Sequence, residues 1–224
     1  MQLWPTPLGI HRFAKADEIN ALLLRVFAAL RFGDEQGQAP KAFYASRDDL
    51  LQRIQLPEWQ QLLRFFVDSL RDTVAAANQR AWPEAAPAMQ IALRGVWFQI
   101  SNQAVHHDVH THGNCSWSGV YCVQVDGPAQ RRSHQVLGAH NGVTRFYGPH
   151  FNHLAGAYAD FGNAYLQSPH LDVEPVPGQL VLFPSWLAHQ AMSYQGSLDR
   201  VILSFNASIH AASGNDQLQA YART

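Results

Sequence analysis

Along the first eighty residues, apolar positions recur every three or four places. Ile19, Leu22, Leu23, Val26, Phe27 and Leu30 form one stripe and predict a helix over residues 17–31, with Gly33 at its C-cap. Before it, residues 1–14 mix Leu3, Trp4, Ile10 and Phe13 with Pro5 and Pro7 and read as extended. After it, residues 34–42 are a polar loop. Ser46 followed by Arg47, Asp48 and Asp49 has the pattern of a capped helix start with an acidic first turn, continued by Leu50, Leu51 and Ile54. A longer helix is expected over residues 57–79, beginning at Leu56-Pro57-Glu58. Its Leu62, Leu63, Phe66, Val67, Leu70 and Val74 share one face, which reads as core packing. Pro83 and Pro87 mark residues 80–90 as a linker.

From residue 91 the pattern shortens to runs rich in β-prone residues. Strands are expected at 91–100, 118–125, 180–183 and 200–206, punctuated by Gly and Pro. Several strands with no helices between them indicate a sandwich or barrel. The expected fold is mainly β: a jelly roll flanked by N-terminal helices. The expected divisions are 1–90 for the extended segment and helices, 91–212 for the β core and 213–224 for a C-terminal tail. The helices either pack on the barrel or support a homodimer.

Composition narrows the function classes. Apolar residues make up 47% of the 224 residues and charged ones 15%, which suits a packed core. The net charge of -1 provides no basic field, so neither nucleic acid nor a membrane is an expected partner. No apolar stretch reaches bilayer length, and the N-terminus lacks the pattern of a secretion signal. Cys115 and Cys122 do not make a disulfide framework, and a cytoplasmic location is expected.

The histidines change the picture. Eight of the 12 fall between His106 and His153, and four lie between His106 and His112. If that segment is extended, His106, Asp108, His110 and His112 share a face, and two of them can reach one metal. Taken alone, such a pattern also fits an exposed polar strand. The run Pro177-Gly-Gln-Leu-Val-Leu-Phe-Pro-Ser-Trp-Leu-Ala-His189 is a turn, an apolar strand and a short loop ending in histidine. A histidine there is costly to bury unless bonded or ligated. Eleven residues on, Arg200 opens the strand Arg200-Val-Ile-Leu-Ser-Phe-Asn206. By alternation Arg200, Ser204 and Asn206 face one side. An arginine aimed into a barrel needs an anion, either an internal carboxylate or a bound organic acid.

Together these residues resemble the iron(II)- and 2-oxoglutarate-dependent oxygenases. They are most similar to the family whose signature is an HxHP-like turn running into SGVYYV, then PGxLxxFPSWLxH and RxSxSFN. The matching stretches here are His110-Thr-His112-Gly, Ser118-Gly-Val-Tyr-Cys-Val123, the run ending at His189, and Arg200 to Asn206, within about residues 95–210. The opening Leu3-Trp4-Pro5-Thr6-Pro7 is similar as well. The resemblance implies a double-stranded β-helix of the cupin-like type with a metal at its open end. It implies iron(II) on His110, His112 and His189, and 2-oxoglutarate on Arg200 assisted by Ser204, with Tyr121 a further candidate for that pocket. It implies a dioxygenase that hydroxylates an unidentified small molecule or side chain, with succinate and CO₂ as co-products.

The chain departs from the wider superfamily at one ligand. The usual set is two histidines and a carboxylate two residues after the first. His112 stands there, and Asp108 is the alternative ligand. Gly113 and Cys122 stand where the family often has proline and tyrosine. The long segment between Asp126 and Val173, with His134, His140, His150 and His153, reads as an elaborated loop over the site. Two rival readings stay open at this point. One is a cupin-like isomerase or hydrolase using zinc or manganese, and the other is a non-catalytic jelly-roll binding module.

Overall fold

The computed structural model describes residues 6–36, 39, 41–82, 88–148 and 170–212. Residues 1–5, the linker prolines Pro83 and Pro87, the segment with His150 and His153, and the tail 213–224 lie outside that set.

Two antiparallel sheets form the core. The larger has six strands in the order β1 (Gly9–Arg12), β7 (Gln179–Pro184), β4 (Trp117–Gln124), β9 (Arg200–Ala211), β3 (Met89–Ser101) and β2 (Phe43–Ala45). The smaller runs β6 (His170–Val173), β5 (Thr144–Tyr147), β8 (His189–Ala191). The expected jelly roll is what forms. Residues 144–147, expected within an elaborated loop, instead pair with both neighbours as the middle strand of the small sheet.

The faces follow from alternation. Val96, Phe98, Tyr121, Val123, Leu180, Leu182, Leu203 and Phe205 point to one side of the large sheet and form the main core. Helices α1 (Ala16–Asp34) and α3 (Pro57–Asn78) cover that side. Phe27 stacks on Phe98 at 4.1 Å, and Phe66 on Phe205 at 5.0 Å. Gly119 is required on β4, because a Cβ there would collide with the Phe205 ring. The helices therefore pack on the sheet, as one of the two expected arrangements had it. Among the described residues no helix is long and apolar enough to cross a membrane.

Two helix ends differ from expectation. Gly33 does not cap α1 but lies inside it, and Arg31 bonds Glu35 across the last turn at 2.8 Å. The left-handed residue is Gln36, with φ of 51°. Ser46 does not cap a helix either. Its hydroxyl accepts the Phe98 N–H at 3.1 Å, so this stretch binds β3, and α2 is confined to Leu50–Arg53.

Candidate metal centre

The opposite side of the large sheet faces the small one, and the histidines gather between them. The chain from Asn102 to Ser116 is not a regular strand. Gln103, Ala104 and Asn114 take left-handed backbone angles, and the chain bends at Val109. It is held against residues 185–194 by backbone bonds. The N–H groups of His107, His110 and His112 donate to the carbonyls of Ala191, His189 and Ser185 at 3.0, 3.0 and 2.9 Å. The expected alternation therefore breaks. His107, His110 and His112 line the cleft, whereas the side chains of His106 and Asp108 are 52% and 98% exposed.

One ligating atom from each of His110, His112 and His189 lies within 4.8 Å of the others. The His112 and His189 Nε2 atoms are 3.2 Å apart. Two nitrogens at roughly 2.1 Å from one ion and at right angles to each other would be roughly 3 Å apart. Nδ1 of His189 meets the Leu187 carbonyl at 2.9 Å, and Nδ1 of His110 meets the Asp108 carbonyl at 2.7 Å. A carbonyl only accepts, so both Nδ1 atoms carry the proton and both Nε2 atoms present a lone pair. Burial holds His112 down to about 4, helped by His110. Burial likewise holds His189 at about 4, against a smaller upward pull from the Leu187 carbonyl. Both imidazoles are thus neutral near pH 7, the form that binds metal. Phe183 backs His189 with ring centroids 4.6 Å apart. The donor set fits a divalent first-row ion. Asp108 is outside the cluster, so the alternative ligand set is not the one brought together.

Arg200 opens β9 on the same cleft and is 4% exposed. Its Nε has no hydrogen-bond partner, and burial pushes its pKa below the ordinary value. Among the described residues no Asp or Glu lines the cleft, so the internal-carboxylate reading of this arginine has no partner. Ser204 also lines the cleft. It is in register with Trp97, whose ring is 6.1 Å from His112, so it lies toward the histidines. Below them, the Ser118 hydroxyl donates to Asn206 at 2.9 Å and meets Ser185 at 3.0 Å, tying β4 to β9 and to the turn after β7.

Tyr121 does not join the site. As an odd-numbered residue of β4 it faces the helices, where its hydroxyl donates to Asn20 Oδ1 at 2.9 Å and its ring lies 5.6 Å from Phe66. Tyr121→Phe is expected to cost about 1 kcal/mol in urea unfolding and to leave any cleft ligand's affinity unchanged. His134 and His140 are likewise elsewhere. His134 accepts backbone N–H groups of Val136 and Leu137, and His140 meets Asp172. His107, Trp97, Gln99 and Thr144 also line the cleft, without having stood out in the sequence. Trp97 and Gln99 were available from alternation, since Val96, Phe98 and Ile100 fill the helix side. His107 was not, because the bend at Val109 reverses the count.

Residues 95–206, half of the chain, match the family described as Putative 2OG-Fe(II) oxygenase. No curated protein matches the chain significantly. Among solved structures, a Pseudomonas putida prolyl-4-hydroxylase is 16% identical over 91% of this chain and 92% of its own, with a TM-score of 0.54. HygX from Streptomyces hygroscopicus, with nickel and 2-oxoglutarate bound, is 11% identical over 91% and 82%, with a TM-score of 0.54. The epimerase SnoN, in complex with Fe3+, alpha ketoglutarate and nogalamycin RO, is 13% identical over 94% and 84%, with a TM-score of 0.53. At these identities the likeness is one of fold.

Proposed function

The chain belongs to the Putative 2OG-Fe(II) oxygenase family, and from that premise we propose that His110, His112 and His189 hold its iron(II) while Arg200 binds the far carboxylate of its 2-oxoglutarate. One observation carries this reading: a buried arginine with an unpartnered Nε and, among the described residues, no acidic neighbour in the cleft, facing the same space as three converging imidazoles. Neither a zinc hydrolase nor a plain binding module requires that cation beside its metal.

Bound iron(II) and 2-oxoglutarate would let O₂ oxidise a second substrate while 2-oxoglutarate is decarboxylated to succinate and CO₂. The chain's own part is positional. The Leu187 and Asp108 carbonyls fix two imidazoles with Nε2 presented. Phe183 and Phe146 wall off the side behind His189. Arg200 sets the direction in which the diacid lies. Ser204 lines the histidine end, and Asp108 stays on the rim. The favoured reaction is hydroxylation of a small molecule or an exposed side chain.

Residues 91–212 supply every group named, which supports that segment as the catalytic core and 1–90 as its support. Both cysteines are free, consistent with a cytoplasmic setting.

Anaerobic titration of the iron(II) protein with 2-oxoglutarate should raise a visible charge-transfer band, and admitting air should release succinate. Absence of both would overturn the proposal.

A further inference from the structure

The arginine end of the cleft, where Ser101 pairs with Arg200 on one side and with Phe43 on the other, holds a polar side chain with no hydrogen-bond partner among the described residues. That side chain is His107. Its backbone is pinned by the bond to the Ala191 carbonyl, and its ring sits edge-on to Phe43 of β2 with centroids 5.0 Å apart at 71°. The ring is half-buried and lines the same cleft as Arg200. Among the described residues its nitrogens take no hydrogen bond, although those of His110 and His189 do. It is not part of the ligand cluster, and its ring centroid is 6.1 Å from that of His110.

The other cleft-facing positions of β9 sharpen the point. Between Arg200 and Ser204 that face carries Ile202, which offers no donor. A carboxylate held by a guanidinium alone keeps open lone pairs, and in a dry site those are costly. A second donor must come from another element. His107 is fixed there by backbone and aromatic contacts, and it has a free N–H to give.

We propose that His107 donates a second hydrogen bond to the far carboxylate of 2-oxoglutarate, beside Arg200, as a cosubstrate-binding residue and not as a fourth metal ligand. This rests on the reading that the cleft takes 2-oxoglutarate. Four histidines in seven residues thus divide their work: two hold the metal, one binds the cosubstrate, and His106 stays on the rim.

The test is calorimetric titration of protein loaded with nickel, a redox-inert stand-in, using two keto acids. Pyruvate shares the metal-binding head of 2-oxoglutarate but lacks the far carboxylate. His107→Phe keeps the ring and its contact with Phe43 while removing the N–H. It should weaken 2-oxoglutarate roughly tenfold, leave pyruvate within about twofold, and leave nickel content unchanged. His107→Gln, which returns a donor, should recover part of the loss. Unchanged 2-oxoglutarate affinity in His107→Phe would overturn the proposal. So would equal weakening of both acids or loss of nickel, since either places His107 at the metal. If the unmutated protein binds no 2-oxoglutarate, or no more tightly than pyruvate, the underlying reading of the Arg200 end fails and this one with it.

Discussion

Replacing Arg200 with Met should give a chain that melts higher without ligand and no longer responds to 2-oxoglutarate. The guanidinium is buried, its Nε is unsatisfied, and among the described residues no carboxylate shares its cleft. Burial already holds its pKa below the ordinary value, so the fold opposes the charge it carries. An apolar side chain of similar length removes that penalty and keeps the packing. Exchanging buried charges for apolar residues stabilises some proteins by about 1–4 kcal/mol. For a chain of this length each kcal/mol raises the melting temperature by about 2–4 °C. Ligand response should go the other way. At a hundredfold excess over its dissociation constant, 2-oxoglutarate should stabilise the unmutated protein by about 2.7 kcal/mol. Arg200→Met should lose nearly all of that shift, because the charged partner is gone. Thermal melts with and without 2-oxoglutarate read both effects. A variant that melts lower and still responds would make the arginine structural.

That opposition between stability and ligand binding also shows what the sequence could reveal. Regular elements were legible because one face of each is buried. The spacing of Ile19, Leu23 and Phe27 set α1, and the alternation of Val201, Leu203 and Phe205 set β9 together with the inward side of Arg200 and Ser204. The same rule, applied to Tyr121, would have placed it among the helices. Only the resemblance points it to the pocket, against its own parity. The short strands β2, β5 and β8 were not legible. Each has three or four residues, and their pairing depends on partners far along the chain. The ligand segment was legible as a cluster of types but not as geometry. Its backbone bends at Val109, so spacing alone could not say that His107 faces inward and Asp108 outward.

The identity of the middle ligand is where that difference can be measured. His112→Ala should reduce iron or nickel affinity by on the order of a hundredfold or more, since a lost ligand should exceed the 10–100-fold seen for outer partners. Asp108→Ala should change it by less than about twofold, a null effect on the scale of a lost ligand, because that carboxylate is 98% exposed and among the described residues meets only the His106 ring, at 3.6 Å. His189 is the poorer probe. Its ring is buried against Phe183, so its removal confounds metal loss with a packing defect. His112→Asp separates the roles of charge and coordination. It restores the two-histidine, one-carboxylate set common in this chemistry, so metal should be retained. It also makes the centre one unit less positive, so the 2-oxoglutarate dianion should bind more weakly than to the unmutated protein. Competition against a chelator gives the first quantity and calorimetry the second. If Asp108→Ala strips the metal and His112→Ala does not, the rim carboxylate must fold inward on metal binding, and the three-imidazole centre is not the working one.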